Sequence, residues 1–225
     1  MHQKLNWKDF QDKNQLESIL LQDILNIAKN AISENGSFKI VMAGGSTPEK
    51  LYKSFLDVRN QNFSAWELYV GDERCLPVDS KDRNSHMIKR SFIDHLPDNS
   101  KPKFFPINTE KGSQEASSEY NSIIDNIDQF DLVLLGLGED GHTASLFPGY
   151  QWDNQLNAVA VSNAPKPPSD RVSMTPKAFL KADKIFFIVT GHGKKDAVNA
   201  WKEGEGIPAS KIMSENLIDV YCNLD

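Results

Sequence analysis

Four times along this 225-residue chain a short apolar run stops abruptly in a cluster of glycine, hydroxyl and charged residues. Phe38–Met42 runs into Ala43-Gly44-Gly45-Ser46-Thr47-Pro48, and Trp66–Val70 into Gly71-Asp72-Glu73-Arg74. Asp131–Leu135 runs into Gly136-Leu137-Gly138-Glu139-Asp140-Gly141-His142, and Lys184–Val189 into Thr190-Gly191-His192-Gly193-Lys194. Short continuous runs of this kind are strands buried on both faces, which is the habit of parallel sheets. Helical spacing lies between them. From Asn14 to Asn35 the apolar positions are Leu16, Ile19, Leu20, Ile24, Ile27, Ala28 and Ile32, with Gly36 as the stop. Leu51, Tyr52, Phe55 and Leu56 mark a second helix, Asn84–Leu96 a third, and a last one ends near Trp201. Asn157–Val161 is a further strand candidate. The alternation predicts an α/β chain, a Rossmann-like three-layer α/β/α sandwich with a mostly parallel sheet. No repeat interrupts it, and Ala164-Pro165-Lys166-Pro167-Pro168 is an extended loop too short to link domains. A single domain over residues 1–225 is expected.

In an open parallel sheet the carboxyl ends of the strands form the ligand crevice, so the four polar loops share one rim. Charge limits what binds there. Lys+Arg 25 against Asp+Glu 31 gives −6, which argues against nucleic acid, because phosphate backbones need a basic face. A small anion needs only two or three placed cations. Cys75 and Cys222 have no CxxC spacing, so neither a disulfide framework nor a structural zinc site is expected. No secretory h-region and no membrane span is visible, so the expected setting is cytoplasmic with no membrane partner.

Pro48 suits the first helical position and Thr47 can cap the helix, leaving N–H groups free for a phosphate. The glycine loop is not a Walker loop, lacking Gly-Lys-Ser/Thr, and Pro48 rules out a GxSxG elbow. Gly136-Leu137-Gly138-Glu139-Asp140-Gly141 matches GxGxxG literally. Its two carboxylates would repel a pyrophosphate, Pro148 cuts short a following helix, and no acid closes the next strand to hold a ribose. His142, two residues after Asp140, can be oriented by that carboxylate and held neutral to take a proton from water. The simplest alternative for Arg74, after two acids, is a local salt bridge of small worth. Lys194 opens a helix, where a cation is unfavourable unless an anion sits there too. Lys195 is a surface charge; His2, His86 and His95 are structural.

These motifs together resemble the 6-phosphogluconolactonase family. The resemblance is carried by Met42-Ala43-Gly44-Gly45-Ser46-Thr47-Pro48, by Gly71-Asp72-Glu73-Arg74-Cys75-Leu76-Pro77 and by the run from Leu135 through Gly141-His142-Thr143-Ala144-Ser145-Leu146-Phe147-Pro148-Gly149. It continues through Arg171-Val172-Ser173-Met174-Thr175, Val189–Lys194 and Ile207-Pro208-Ala209-Ser210, so that it spans about residues 14–220. It implies hydrolysis of 6-phospho-D-glucono-1,5-lactone, a phosphorylated sugar lactone of the pentose phosphate pathway, with no cofactor and no metal. By the same resemblance His142 is the general base with Asp140 beside it, and Arg74 lies near the lactone. Gly44, Gly45, Ser46, Arg171 and Lys194 bind substrate, chiefly its phosphate, with Thr47 and Asp72 counted among them. A monomer is expected. One departure is Arg83, which precedes Asn84 where the family usually shows Ser. Glucosamine-6-phosphate deaminases share the GGSTP region but typically have Asp-Glu-Tyr at 72–74 and a catalytic Glu where this chain has Phe147. A non-catalytic sugar-phosphate sensor is the other alternative, disfavoured by the lack of a basic helix.

Overall fold

The computed structural model of the chain describes residues 3–225, so His2 lies outside the described residues. The first helix, α1 (Lys13–Asn35), starts at Asp12, whose carboxylate accepts from the Asn14 N–H at 2.9 Å. It ends at Gly36, which takes φ 77° and donates its N–H to the Ile32 carbonyl. Its buried residues Leu16, Leu20, Ile24, Ala28 and Ala31 form one stripe three or four residues apart.

Seven strands make the main sheet: β1 (Leu5–Asp9), β2 (Phe38–Met42), β3 (Trp66–Val70), β5 (Lys103–Phe105), β6 (Phe130–Gly136), β9 (Ala182–Thr190) and β10 (Ile218–Asn223). Their order is β1-β10-β9-β6-β2-β3-β5, and every pairing is parallel. Helices α1, α2 (Ser46–Ser54), α3 (Asn84–Ser91), α4 (Ser113–Asp125), α5 (Pro176–Phe179) and α6 (Lys195–Lys202) flank it. From β2 the chain builds outward through β3 to β5, whereas from β6 it builds the other way through β9 to β10. The strand order thus reverses between β2 and β6, where the register is Ile40↔Leu132 and Val41↔Val133. Diverging loops leave a crevice at such a reversal.

The predicted three-layer α/β organisation is therefore present, and four of the expected main strands fall on β2, β3, β6 and β9. Three expectations need correction. Asp72-Glu73-Arg74 is not a loop but β4 (Asp72–Arg74), the edge of a separate three-stranded antiparallel sheet in which β8 (Arg171–Met174) lies between β4 and β7 (Ala158–Val161). Asn157–Val161 supplies β7 (Ala158–Val161) of that small sheet, pairing with β8 (Arg171–Met174) rather than joining the parallel one. The three charged residues of β4 carry almost no strand propensity, and which sheet the apolar β7 joins is set by distant chain. The third helix stops at Ser91, since Phe92 adopts φ −141°, ψ −63°, and continues as a 3-10 turn over Ile93–His95 before Leu96-Pro97.

The core is densest where Phe55 and Phe63 meet Trp66 and Phe92 edge to face, with centroid separations of 4.9–5.4 Å. Such pairs add to the burial term rather than merely sharing it. Phe55 is fully buried. Truncating Phe55→Ala should cost about 3–5 kcal/mol of unfolding free energy, measured by denaturant titration, with an unchanged denaturant slope.

Candidate active site

The crevice between the β2 and β6 loops is a cavity of about 390 Å³, a volume suited to a small metabolite. Gly44, Gly45, Ser46, Thr47, Asp72, Arg74, His142, Arg171 and Lys194 all line it. Asp140 does not line it but backs it, hydrogen-bonded to Nδ1 of His142. The ten residues singled out in the sequence thus come together from five separate stretches of chain.

The imidazole owes its position to a glycine. A Cβ on Gly138 would fall 1.9 Å from His142 Nδ1 and 2.6 Å from Asp140 Oδ1. The ring therefore lies flat against the backbone at Gly138, and the tight turn is closed by Gly138 N–H to His142 O at 2.7 Å and Gly141 N–H to Gly138 O at 3.1 Å. No helix follows, so the literal GxGxxG match serves a histidine rather than a dinucleotide. On its other side the ring meets Phe147, centroids 4.7 Å apart.

With Nδ1–H directed to Asp140, the neutral tautomer carries its lone pair on Nε2. Among the described residues nothing hydrogen-bonds that nitrogen. Burial pulls the imidazole below its ordinary value of 6.5, outweighing the opposing effect of Asp140. Burial is the largest influence on Asp140 and raises it, but the side-chain and backbone hydrogen bonds and the charge of His142, with a smaller contribution from Lys166, together hold the carboxyl low.

Helix α2 turns its N-terminus to the cavity. Gly45, at φ 113°, forms the N-cap, and no side chain caps the helix. The N–H groups of Ser46 and Thr47 therefore have no acceptor of their own. The helix begins two residues earlier than expected, so Pro48 is its third residue and Thr47 is not a cap. The Thr47 hydroxyl instead shares a 2.6 Å hydrogen bond with that of Thr190, at the end of β9. Lys194 ends the 3-10 turn His192–Lys194 immediately before α6, close to its expected position at a helix start. His192, on the same turn, does not line the cavity.

Arg171 is buried, and its Nε and Nη2 donate to the carbonyls of Pro168, Lys166 and Pro167 at 2.9–3.1 Å. Its guanidinium carbon lies 5.5 Å from the Phe147 ring centroid. The Phe147 ring is thus in contact with both Arg171 and the imidazole. Burial lowers the guanidinium and Asp72 opposes this.

Arg74 does not make the simple local salt bridge. Among the described residues it has no carboxylate partner within 4 Å; its Nη1 donates to the Asp82 carbonyl. The two acids before it have other partners. Glu73, fully buried, accepts from the N–H groups of Arg74, Asn84 and Ser85 at 2.7–2.8 Å, thereby capping α3 from a different element. Arg83 stands behind it, 3.6 Å from Glu73 Oε2, and donates to the Ile107 carbonyl, so the departure at this position is structural. Asp72 accepts from Asn84 Nδ2 and, at 2.6 Å, from Ser145 Oγ.

Asn84, Ser145 and Thr190 are the residues sequence reasoning missed. The only signal was spatial: a Cβ on Gly44 would land 2.2 Å from Asn84 Oδ1, so the glycine exists partly to admit that carboxamide. Among the described residues no three His, Cys, Asp or Glu side chains gather at metal-binding range. Gly138→Ala should displace the His142 ring and break its contact with Asp140 while leaving the β6 pairings intact, which a crystal structure of the variant would report.

Known proteins resemble this chain over most of its length. The sequence pattern of the family described as glucosamine-6-phosphate isomerases/6-phosphogluconolactonase matches residues 11–220. 6-phosphogluconolactonase 3 of Saccharomyces cerevisiae is 34% identical over 206 residues, covering 84% of this chain and 82% of its own. A probable 6-phosphogluconolactonase of Schizosaccharomyces pombe is 32% identical, covering 83% and 80%. The solved 6-phosphogluconolactonase of Trypanosoma brucei superposes with a TM-score of 0.84 at 25% identity, over 97% of this chain and 95% of its own. That of Thermotoga maritima, at 22% identity, shares the fold with a TM-score of 0.86 over 96% and 98%. This chain belongs to the glucosamine-6-phosphate isomerase/6-phosphogluconolactonase family.

Proposed function

We propose that the protein hydrolyses 6-phospho-D-glucono-1,5-lactone to 6-phospho-D-gluconate, with His142 as general base. The observation that carries this reading is one cavity in which an oriented imidazole shares walls with Arg74, Arg171, Lys194 and an uncapped helix N-terminus. The phosphate is held by Lys194, the free Nη1 of Arg171 and the Ser46 and Thr47 amides, each charged hydrogen bond contributing roughly 1.5–3 kcal/mol. That grip brings the lactone carbonyl towards His142. Nε2 takes a proton from water as its oxygen bonds to the carbonyl carbon, and Arg74 with the glycine-loop amides stabilises the resulting oxyanion. The ring carbon–oxygen bond then breaks, and the imidazolium returns its proton to the departing ring oxygen.

The deaminase alternative is weakened at Phe147. A fully buried aromatic ring occupies the position where those relatives carry a carboxylate, removing a proton carrier from beside the histidine. A cytoplasmic setting is supported by two free cysteines; among the described residues no helix is long and apolar enough to cross a membrane.

Purified protein given freshly prepared lactone, with product followed by a coupled dehydrogenase, should turn over well above the spontaneous rate; binding without turnover would mean a sensor. His142→Ala should lower kcat about 10²–10⁴-fold with KM little changed. Arg171→Ala and Lys194→Ala should chiefly raise KM, by roughly tenfold or more. A base that must be neutral loses activity as pH falls through its pKa. Because burial depresses that value, the acid limb of kcat/KM should have its midpoint below 6.5; a midpoint above 7 would remove His142 from the role.

A further inference from the structure

Arg74 reaches the cavity wall from beside a surface loop. Between Arg74 and Asn84 the chain leaves Pro77, Val78, Asp79, Lys81 and Asp82 exposed, and of these described residues only Arg83 is buried. Exposed loops move more than the elements they connect. Yet the Arg74 guanidinium takes its bearing from this one. Its Nη1 donates to the Asp82 carbonyl, and its Nε is buried with no partner among the described residues. The residue after that carbonyl is Arg83, whose side chain turns inward at 2% exposure. Its Nη2 donates to the Ile107 carbonyl at 2.9 Å, its Nη1 to Glu110 Oε1 at 3.4 Å, and its Nε lies 3.6 Å from Glu73 Oε2. A planar fork on such partners fixes direction as well as distance. The main chain is pinned alongside, the Arg83 N–H meeting the Ser80 carbonyl at 3.2 Å.

We propose that Arg83 is a positioning residue for Arg74: anchored on Glu73 and Ile107, it holds the Asp82 carbonyl where the Arg74 guanidinium meets it on the cavity wall. The inference rests on Arg74 stabilising the oxyanion, as proposed above. The buried pair grips Arg74 at two points. Glu73 accepts the Arg74 main-chain N–H at 2.8 Å, and Arg83, beside that carboxylate, sets the acceptor of its side chain. Successive strand residues point to opposite faces, so Glu73 serves the buried side of β4 while Arg74 serves the cavity. Removing the Arg83 fork leaves Glu73 its three N–H donors and α3 its cap. What goes is the tether of the loop to the body of the protein. An oxyanion donor is effective when it is fixed in advance, because reorganising it during the reaction costs part of what it contributes.

The test is a double-mutant cycle on the lactone with an NMR measurement beside it. Arg83→Met should lower kcat about tenfold with KM little changed, a fraction of what one oxyanion donor contributes. In an Arg74→Ala background the same substitution should change kcat by less than about twofold, because its target is already gone. An equal loss in both backgrounds overturns the proposal, since a merely structural role would act whether or not Arg74 is present. Arg83→Lys keeps a charge beside Glu73 without the fork and should lose roughly threefold; it carries the same cycle if Arg83→Met does not fold. In the free protein the Arg74 Nε–H signal, assigned by its loss in Arg74→Lys, should exchange with water about tenfold faster in Arg83→Met than in the wild type. Unchanged exchange overturns the proposal. That measurement needs no turnover, so it decides the positioning even if the lactone is not the substrate.

Discussion

The site depends on one parallel pairing, that of β2 with β6. Only Ile40↔Leu132 and Val41↔Val133 are in register there, and on either side the chain winds away in opposite directions. Loops leaving adjacent strands on one side of such a reversal cannot cover each other, so the sheet opens into a crevice without any residue having to be carved out. The glycine loop ahead of α2 and the loop bearing His142 form its two nearest walls. The α2 N-terminus and the His142 imidazole are therefore neighbours because their strands are, although about a hundred residues separate them along the chain.

Buried charge completes this frame. Asp72 and Glu73 alternate on β4, one held by Asn84 and Ser145, the other by three backbone N–H groups and the nearby Arg83 guanidinium. Ionised carboxylates withdrawn from water are tolerable only with such complete partnering. Their effect is to join the small antiparallel sheet to α3 and to the His142 loop. Arg74 follows them on the same strand and, having neither acid as a partner, keeps its guanidinium on the cavity wall.

Much of this could be read from the chain, for reasons that differ by element. The buried strands announced themselves as uninterrupted apolar runs, and α1 by its stripe and by Gly36. Most candidate site residues stood out as glycine and charge at a strand's carboxyl end, where they have few structural uses; Arg171, which opens β8, was named only through the family resemblance. What escaped was whatever depended on a distant partner. Strand β4 reads as three charges, and its pairing with β8 follows from a hundred residues of intervening fold. Strands β1, β5 and β10 and helix α4 were not identified at all; β5 is only three residues long. Thr47 has the composition of a cap, and its actual partner, Thr190, lies 143 positions away. Asn84 looked like an ordinary first helical residue, although its carboxamide fills the space vacated by Gly44.

The hydroxyl pair Thr47–Thr190 has a mechanical consequence. One member rides on the first turn of α2 and the other on the tip of β9, which are the two halves of the sheet that part company at the crevice. Two oxygens 2.6 Å apart act as a clasp across that gap. The width of the mouth is consequently set before any guest arrives, and the anion proposed above would enter a socket of settled bore instead of drawing two loose rims together. The ordering entropy of closure was met when the chain folded, so more of the attraction for such a guest would be expressed as affinity.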